Sequence, residues 1–262
     1  MNSRIHLFVG LVALLTILLA LPAVAFSAQK VFLESGGQVV VEAENFSSRT
    51  PDANGKNWLV VPDENPGAGP RIANARAGKY IQSLPDNQTG GAIPSLPPSI
   101  EYKVQINTTG LYRLFLRWDG NAASSGDSDT IFVDLVELKD GPGGTIADWY
   151  ELNKFNNGNF ADTPWDGGGG FEQNRLDPAD GSIQWVINKP GIYTVRISQR
   201  EDGAAVDALI LQLASLPVPP GNGPPQSEFT SGAFDIIPKA GGDIGSVTVN
   251  LLGLMASLRV AV

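Results

Sequence analysis

From residue 39 onward, apolar and polar residues alternate in short runs separated by Gly, Asn, Asp and Pro. Val39 to Glu44 reads as one strand. Ser99 to Ile106 reads as another, with Tyr102, Val104 and Ile106 on one face and Glu101, Lys103 and Gln105 on the other. After the turn residues Asn107-Thr108-Thr109-Gly110, the run from Leu111 to Trp118 sets Tyr112, Leu114, Leu116 and Trp118 against Arg113 and Arg117. These two runs are a hairpin candidate. Thr130 to Leu138 continues the series. Ser182 to Asn188 and Gly191 to Gln199 form a second hairpin candidate about Lys189-Pro190-Gly191. Val206 to Leu213 closes it, with Asp207 sharing a face with Leu209, Leu211 and Leu213. No stretch of the body keeps helical periodicity for three turns. The pattern predicts an all-β domain, most simply an antiparallel β-sandwich of two sheets packed face to face.

Both ends of the chain depart from this texture. Leu7 to Leu21 is almost wholly apolar, Arg4 precedes it, and Ala23-Val24-Ala25 follows with small residues at the spacing of a cleavage site. Residues 1–28 are expected to be a signal peptide. The mature protein is then secreted, extracellular or periplasmic, with no membrane attachment after cleavage. Residues 29–215 carry the sandwich. Residues 216–227, rich in Pro and Gly, read as a linker. Residues 228–262 read as a tail or a truncated next module, too short for a core of its own, and leave room for a larger secreted assembly.

Composition narrows the chemistry. Among 262 residues, 18 Lys and Arg stand against 27 Asp and Glu, for a net charge of -9. No nucleic-acid partner is expected of so acidic a chain. There is no cysteine, and the single histidine, His6, falls in the expected signal peptide. Thiolate chemistry and histidine-based triads or zinc sites drop out of the mature chain. The 30 glycines and 19 prolines suit a turn-rich β fold.

What remains is carboxylates and aromatic rings. Glu42 and Glu44 lie two apart on a strand pattern, hence on one side of it. Asp207 is a lone acid in an apolar run. If the first and last strands are neighbours, the three carboxylates converge on one hard cation, for which calcium's irregular oxygen shell is suited. The alternative is solvated glutamates and a sheet-end aspartate. The same acids are also near the spacing of a glycosidase pair, but no second acid set accompanies them, and no enzyme activity is expected. Trp58 and Trp165 fall in loop-like segments, and Trp118 ends a strand. Tyr150 belongs to a long Gly- and Asn-rich excursion between the strands. Each is either a sugar-stacking platform or a packed core ring. Arg117 and Asp166 are candidate polar partners for sugar hydroxyls.

Several short motifs carry a family likeness. Val41-Glu42-Ala43-Glu44-Asn45-Phe46 resembles the opening strand of carbohydrate-binding modules of families 6, 35 and 36. Gly203 to Leu211 resembles their closing strand, with Asp207 at its aspartate position. Gly78-Lys79-Tyr80-Ile81 and Gly110 to Trp118 are similar to the segments between. The resemblance spans roughly residues 31 to 214. It implies a galactose-binding-like jelly roll, a structural calcium held by Glu42, Glu44 and Asp207, and a polysaccharide or oligosaccharide as partner. Arg200-Glu201-Asp202-Gly203 stands where many members have a ligand-contacting Asn.

Overall fold

The structure is a computed structural model. It describes residues 29–65, 72–87, 98–120, 130–138, 149–153, 158–161, 165–167, 183–232, 234–236, 246–251 and 254–259. The expected signal peptide, residues 1–28, and much of the excursion lie outside the described residues.

Residues 29–232 form one unit. In chain order its strands are β1 (Gln29–Leu33), β2 (Gln38–Glu42), β3 (Ser48–Thr50), β4 (Asn57–Val61), β5 (Tyr80–Leu84), β6 (Ser99–Ile106), β7 (Gly110–Asp119), β8 (Thr130–Leu135), β9 (Trp149–Asn153), β10 (Gln184–Ile187), β11 (Gly191–Gln199), β12 (Ala205–Leu213) and β13 (Phe229–Gly232). One sheet runs β13-β1-β6-β11-β8-β9, with β3 also on β6. The other runs β10-β7-β12-β5-β4, with β2 also on β12. All pairs are antiparallel except β1 with β6. This is the two-sheet antiparallel sandwich that the alternation predicts, jelly-roll-like as the resemblance implies.

The inner faces are those the sequence marks. Tyr102, Val104 and Ile106 of β6 and Val195 and Ile197 of β11 meet Leu114, Leu116 and Trp118 of β7 and Leu209 and Leu211 of β12 in one buried cluster. Both hairpin expectations fail, however. β6 lies in the first sheet and β7 in the second, and β10 and β11 are divided the same way. The turns at Asn107-Thr108-Thr109 and Lys189-Pro190 therefore carry the chain across the sandwich. Within each sheet, β6 pairs with β11 and β7 with β10 and β12.

The outer face of the second sheet is also covered. Val40, Phe115 and Ile210 are buried there with Trp165 packed on them. Farther along, Val61, Tyr80, Leu84 and Ala205 pack with Ile72 and Phe160. Residues 216–227, read from the sequence as a linker, reach β2 at their end. The Ser227 N–H donates to the Val40 carbonyl (2.9 Å), and Ser227 Oγ accepts the Val40 N–H (3.0 Å). Gln226 Oε1 accepts the Glu42 N–H (3.0 Å). The segment then crosses to the first sheet, where β13 pairs antiparallel with β1. The sandwich thus takes a strand from beyond residue 215.

The second unit holds β14 (Phe234–Ile236), β15 (Ser246–Leu251) and β16 (Leu254–Arg259) in one antiparallel sheet. Its register sets Val247 opposite Ile236 and Leu258, Val249 opposite Phe234 and Ala256, and Leu251 opposite Leu254.

Candidate functional site

Asp207 does not sit where strict alternation puts it. The register between β12 and β7 shifts between Val206 and Ala208. Such a bulge breaks the two-residue period and redirects the residue it contains. Val206, Leu209 and Leu211 all stay in the core. Asp207 instead pairs with Arg117, whose strand neighbour Phe115 belongs to the outer-face cluster.

Around Asp207 the fold assembles a buried charge cluster. Arg117 Nε donates to Asp207 Oδ2 at 2.6 Å, and its Nη2 donates to the Asn74 carbonyl at 2.7 Å. The backbone N–H of Arg76 donates to Asp207 Oδ1 at 3.0 Å. The Arg76 guanidinium reaches Glu42 Oε1 at 3.0 Å and the Pro224 carbonyl at 2.7 Å. Glu42 ends β2, and Glu44 lies in a one-turn 3-10 segment, Ala43–Asn45. The expectation that both glutamates project from one strand is thereby corrected: the strand stops between them. Beside them, Asn45 accepts from Lys30 Nζ (2.8 Å) and donates to Gln226 Oε1 (3.0 Å).

Three carboxylates share this region with two guanidiniums. Burial raises the Glu42 carboxyl from 4.5 to about 7; Arg76 opposes the rise, and Glu44 and Asp207 add to it. Burial also raises Glu44 and Asp207, the latter against the Arg76 N–H and the Arg117 guanidinium. Burial lowers Lys30, with Glu44 opposing. Two carboxylate oxygens, Glu42 Oε2 and Glu44 Oε2, are buried without a hydrogen-bond partner. Unpaired buried carboxylate oxygens are costly and are the donors a hard cation takes. Asp207 differs, since each of its oxygens already has a donor. No group of three or more carboxylate, histidine or cysteine side chains is arranged around a metal position among the described residues.

The aromatic candidates divide sharply. Trp58 and Trp118 are each 0% exposed, and so is Tyr150. Their polar atoms are satisfied inside: Trp58 Nε1 by the Pro98 carbonyl, Trp118 Nε1 by Asp166 Oδ2, and the Tyr150 hydroxyl by the Gln184 carbonyl. Tyr150 also meets Trp185 edge to face, with centroids 5.4 Å apart. These three rings are core and show no face to a sugar. Arg117, read as a sugar partner, is 1% exposed and held by Asp207. Asp166 exchanges both backbone hydrogen bonds with Leu116, and its carboxylate serves Trp118.

Trp165 alone of the candidate rings is half-buried. It packs on the Val40, Phe115 and Ile210 cluster. Its Nε1 donates to the Gly221 carbonyl (3.1 Å), and the Arg76 guanidinium lies 5.5 Å from a ring centroid. Gly223, at φ +73°, lies so close that a Cβ there would fall 2.5 Å from the ring. Beside Gly223 runs a groove of about 510 Å³, lined in part by Gln38, Leu216, Pro217, Pro220 and Pro224.

Sequence reading missed Arg76 and Gln226. Arg76 lies in irregular chain with no period to mark its direction. Gln226 lies in a segment whose composition signals a linker, and only its docking on β2 brings it to Glu42.

No protein-family model matches the chain, and no curated protein matches it in sequence. Among solved structures it is similar to a Podospora anserina GH26-CBM35 β-(1,4)-mannanase, at 16% identity and a TM-score of 0.40, covering 71% of this chain and 29% of that one. It is similar to a carbohydrate-binding module, CBM6cm-2, from Cellvibrio mixtus lichenase 5A, at 14% identity and a TM-score of 0.33, over 66% of this chain and 95% of that one. It is also similar to a family 6 carbohydrate-binding module, at 12% identity and a TM-score of 0.28, over 67% and 93% of the two chains. Likenesses this remote leave the function to the site itself.

Proposed function

We propose that the chain is an exported, non-catalytic carbohydrate-binding module with a structural calcium ion. The observation that carries this is the pairing of β2 with β12, with Val41 opposite Leu209 and Glu42 opposite Ala208. The two motifs that resemble the opening and closing strands of such modules are hydrogen-bonded neighbours, and their acids meet. Glu42 and Glu44 would hold the ion with the oxygens that have no other partner, and Asp207, whose oxygens already have donors, would add negative charge nearby. The ion would supply positive charge to acids that burial otherwise pushes toward the neutral form. The sugar surface would be Trp165 and the groove that begins at Gly223. A groove of this size suits a small ligand, and a half-open indole suits the C–H face of a sugar ring.

Glycan-array and polysaccharide pull-down measurements on the purified protein test this reading. Binding that Trp165→Ala weakens supports it. No binding to any plant, algal or microbial glycan overturns it.

A second reading is an extracellular structural or adhesive sandwich without sugar affinity. The burial of Trp58, Trp118, Tyr150 and Arg117 favours it, because that leaves few polar and aromatic groups for a ligand. A silent glycan array with an intact, cooperative melt is its expected result.

A further inference from the structure

The groove beside Trp165 is built without charge. Four of its nine lining residues are proline, and its polar side chains are Ser35 and Gln38. No ionisable side chain lines it among the described residues. The two chain segments that form it are equally bare. Residues 35–41 and 208–227 hold no Asp, Glu, Lys or Arg, and the residues that flank them, Glu34, Glu42, Asp207 and Glu228, are all acids. One cation does approach the platform. The Arg76 guanidinium lies 5.5 Å from a Trp165 ring centroid. It is turned away from solvent, however. Its side chain is 8% exposed, and its Nη2 reaches both Glu42 Oε1 and the Pro224 carbonyl. Its Nη1 is buried as well. The groove's own amide is held without charge: Gln38 Nε2 donates to Gln212 Oε1 (2.5 Å), and Gln212 Nε2 donates to the Pro217 carbonyl (2.8 Å).

We infer that this groove selects uncharged sugars and discriminates against sugars that carry a carboxylate, an inference that rests on the carbohydrate-binding reading above. Hydroxyl and amide groups match sugar hydroxyls, and proline rings match the C–H faces between them. A uronate entering the groove gives up hydration and finds no cation to replace it, which costs far more than burying a neutral hydroxyl. The acids next along the chain and the net charge of -9 add repulsion. Specificity then comes from what the groove withholds: it offers no partner to the one group that separates a uronic acid from its neutral parent.

The test is isothermal titration of the full chain with matched oligosaccharides. Oligogalacturonides and oligomannuronides are compared with their carboxyl-reduced counterparts, which keep linkage and length but lose the charge. Cello- and xylo-oligosaccharides extend the neutral set. Neutral members are expected to bind, and each uronide to bind at least about tenfold more weakly than its reduced partner. Trp165→Ala should weaken the neutral binding. Ser35 pairs with Gln38 through its backbone, so Ser35→Lys adds a cation to the groove and keeps that pairing. It should narrow the gap between uronide and reduced partner at least about threefold, an effect that added salt removes. A uronide that binds as tightly as its reduced partner, or more tightly, overturns the inference and leaves the carbohydrate-binding reading standing. Discrimination that neither Trp165→Ala nor Ser35→Lys alters also overturns it, since the selectivity then lies on another surface. Silence toward all these probes and on a glycan array overturns the reading itself, and the inference with it.

Discussion

Arg117 Nε lies 2.6 Å from Asp207 Oδ2, and both side chains are almost wholly shielded from water, at 2% and 0% exposure. The pair exists because a bulge turns one residue of the closing strand out of the core. Its partner, two positions along from Phe115, reaches the same face. Removing one partner of a buried pair leaves the other charge stranded. Arg117→Met is therefore expected to cost about 3–5 kcal/mol of stability. Arg117→Met combined with Asp207→Leu should recover much of it. Urea denaturation of the single and double variants checks this, and a single variant within about 0.5 kcal/mol of wild type contradicts it.

Glu42 gives stability a direction in pH. Its folded carboxyl holds the proton more tightly than the unfolded chain does, with a value of about 7 against 4.5. That contribution is fully present below the unfolded value and is lost as pH rises through the folded one. Glu44 and Asp207 are raised as well and act in the same sense. In metal-free protein, stability should fall between about pH 5 and about pH 8, by on the order of 2–3 kcal/mol from Glu42, and the melting temperature should fall with it. Glu42→Gln should flatten that fall. A melting temperature that rises across this window contradicts the assignment.

Calcium is expected to oppose this slope, because an ion binds the ionised carboxylates and the folded state only. Thermal melts with calcium and with chelator, at about neutral pH, should differ, with the calcium form melting higher. Glu44→Gln should shrink the difference while leaving the chelated melt nearly unchanged. Identical melts, on protein shown by elemental analysis to be metal-free before calcium is added, remove the ion from the site.

Trp165 and Gly223 are expected to act as one unit. Gly223→Ala puts a Cβ into the indole at a backbone angle that disfavours any side chain, and should cost roughly 1–3 kcal/mol. Trp165→Ala should cost less than the ~3–5 kcal/mol of a fully buried aromatic. The double variant should cost clearly less than the sum, since the clash disappears with the ring. Chemical denaturation of the three proteins measures the coupling, and strict additivity refutes it.

The segment beyond residue 215 is expected to be part of the sandwich. A chain ending at residue 215 loses β13 and the contacts of Gln226 and Ser227 with β2. It should melt well below the full chain or fail to fold, whereas a chain ending at residue 232 should keep the sandwich melt. Equal melts for both truncations contradict a structural role for the segment.

Alternation along the chain is enough to say which residues face inward, because a strand has only two faces and water excludes one set. Tyr102, Val104 and Ile106 were legible as core on that ground alone, as were Tyr112, Leu114 and Leu116. Their partners were not. A turn such as Asn107-Thr108-Thr109-Gly110 links strands either side by side or across two sheets, and each strand shows the same apolar face in both cases. Only the long-range pairing of β6 with β11 and β7 with β12 decides between them.

The acids were legible as a group, since Glu42, Glu44 and Asp207 are polar residues in apolar runs. Their surroundings were not, because these depend on a one-residue bulge at Asp207 and on Arg76, which arrives from irregular chain. Trp58, Trp118 and Tyr150 have the composition of a binding surface but are core, since burial is a property of what packs above a ring. Residues 216–227 have the composition of a linker. They are held in place because Ser227 and Gln226 meet backbone groups of β2 that would otherwise lack partners. Sequence alone determined the seven runs that became β2, β6, β7, β8, β10, β11 and β12, their inner faces and the stock of chemistry, but not the strands β1, β3, β4, β5, β9 and β13. Tertiary structure decided which strands are neighbours, where the buried charges are matched and which aromatic ring stays open, because each of these depends on residues far apart in the chain.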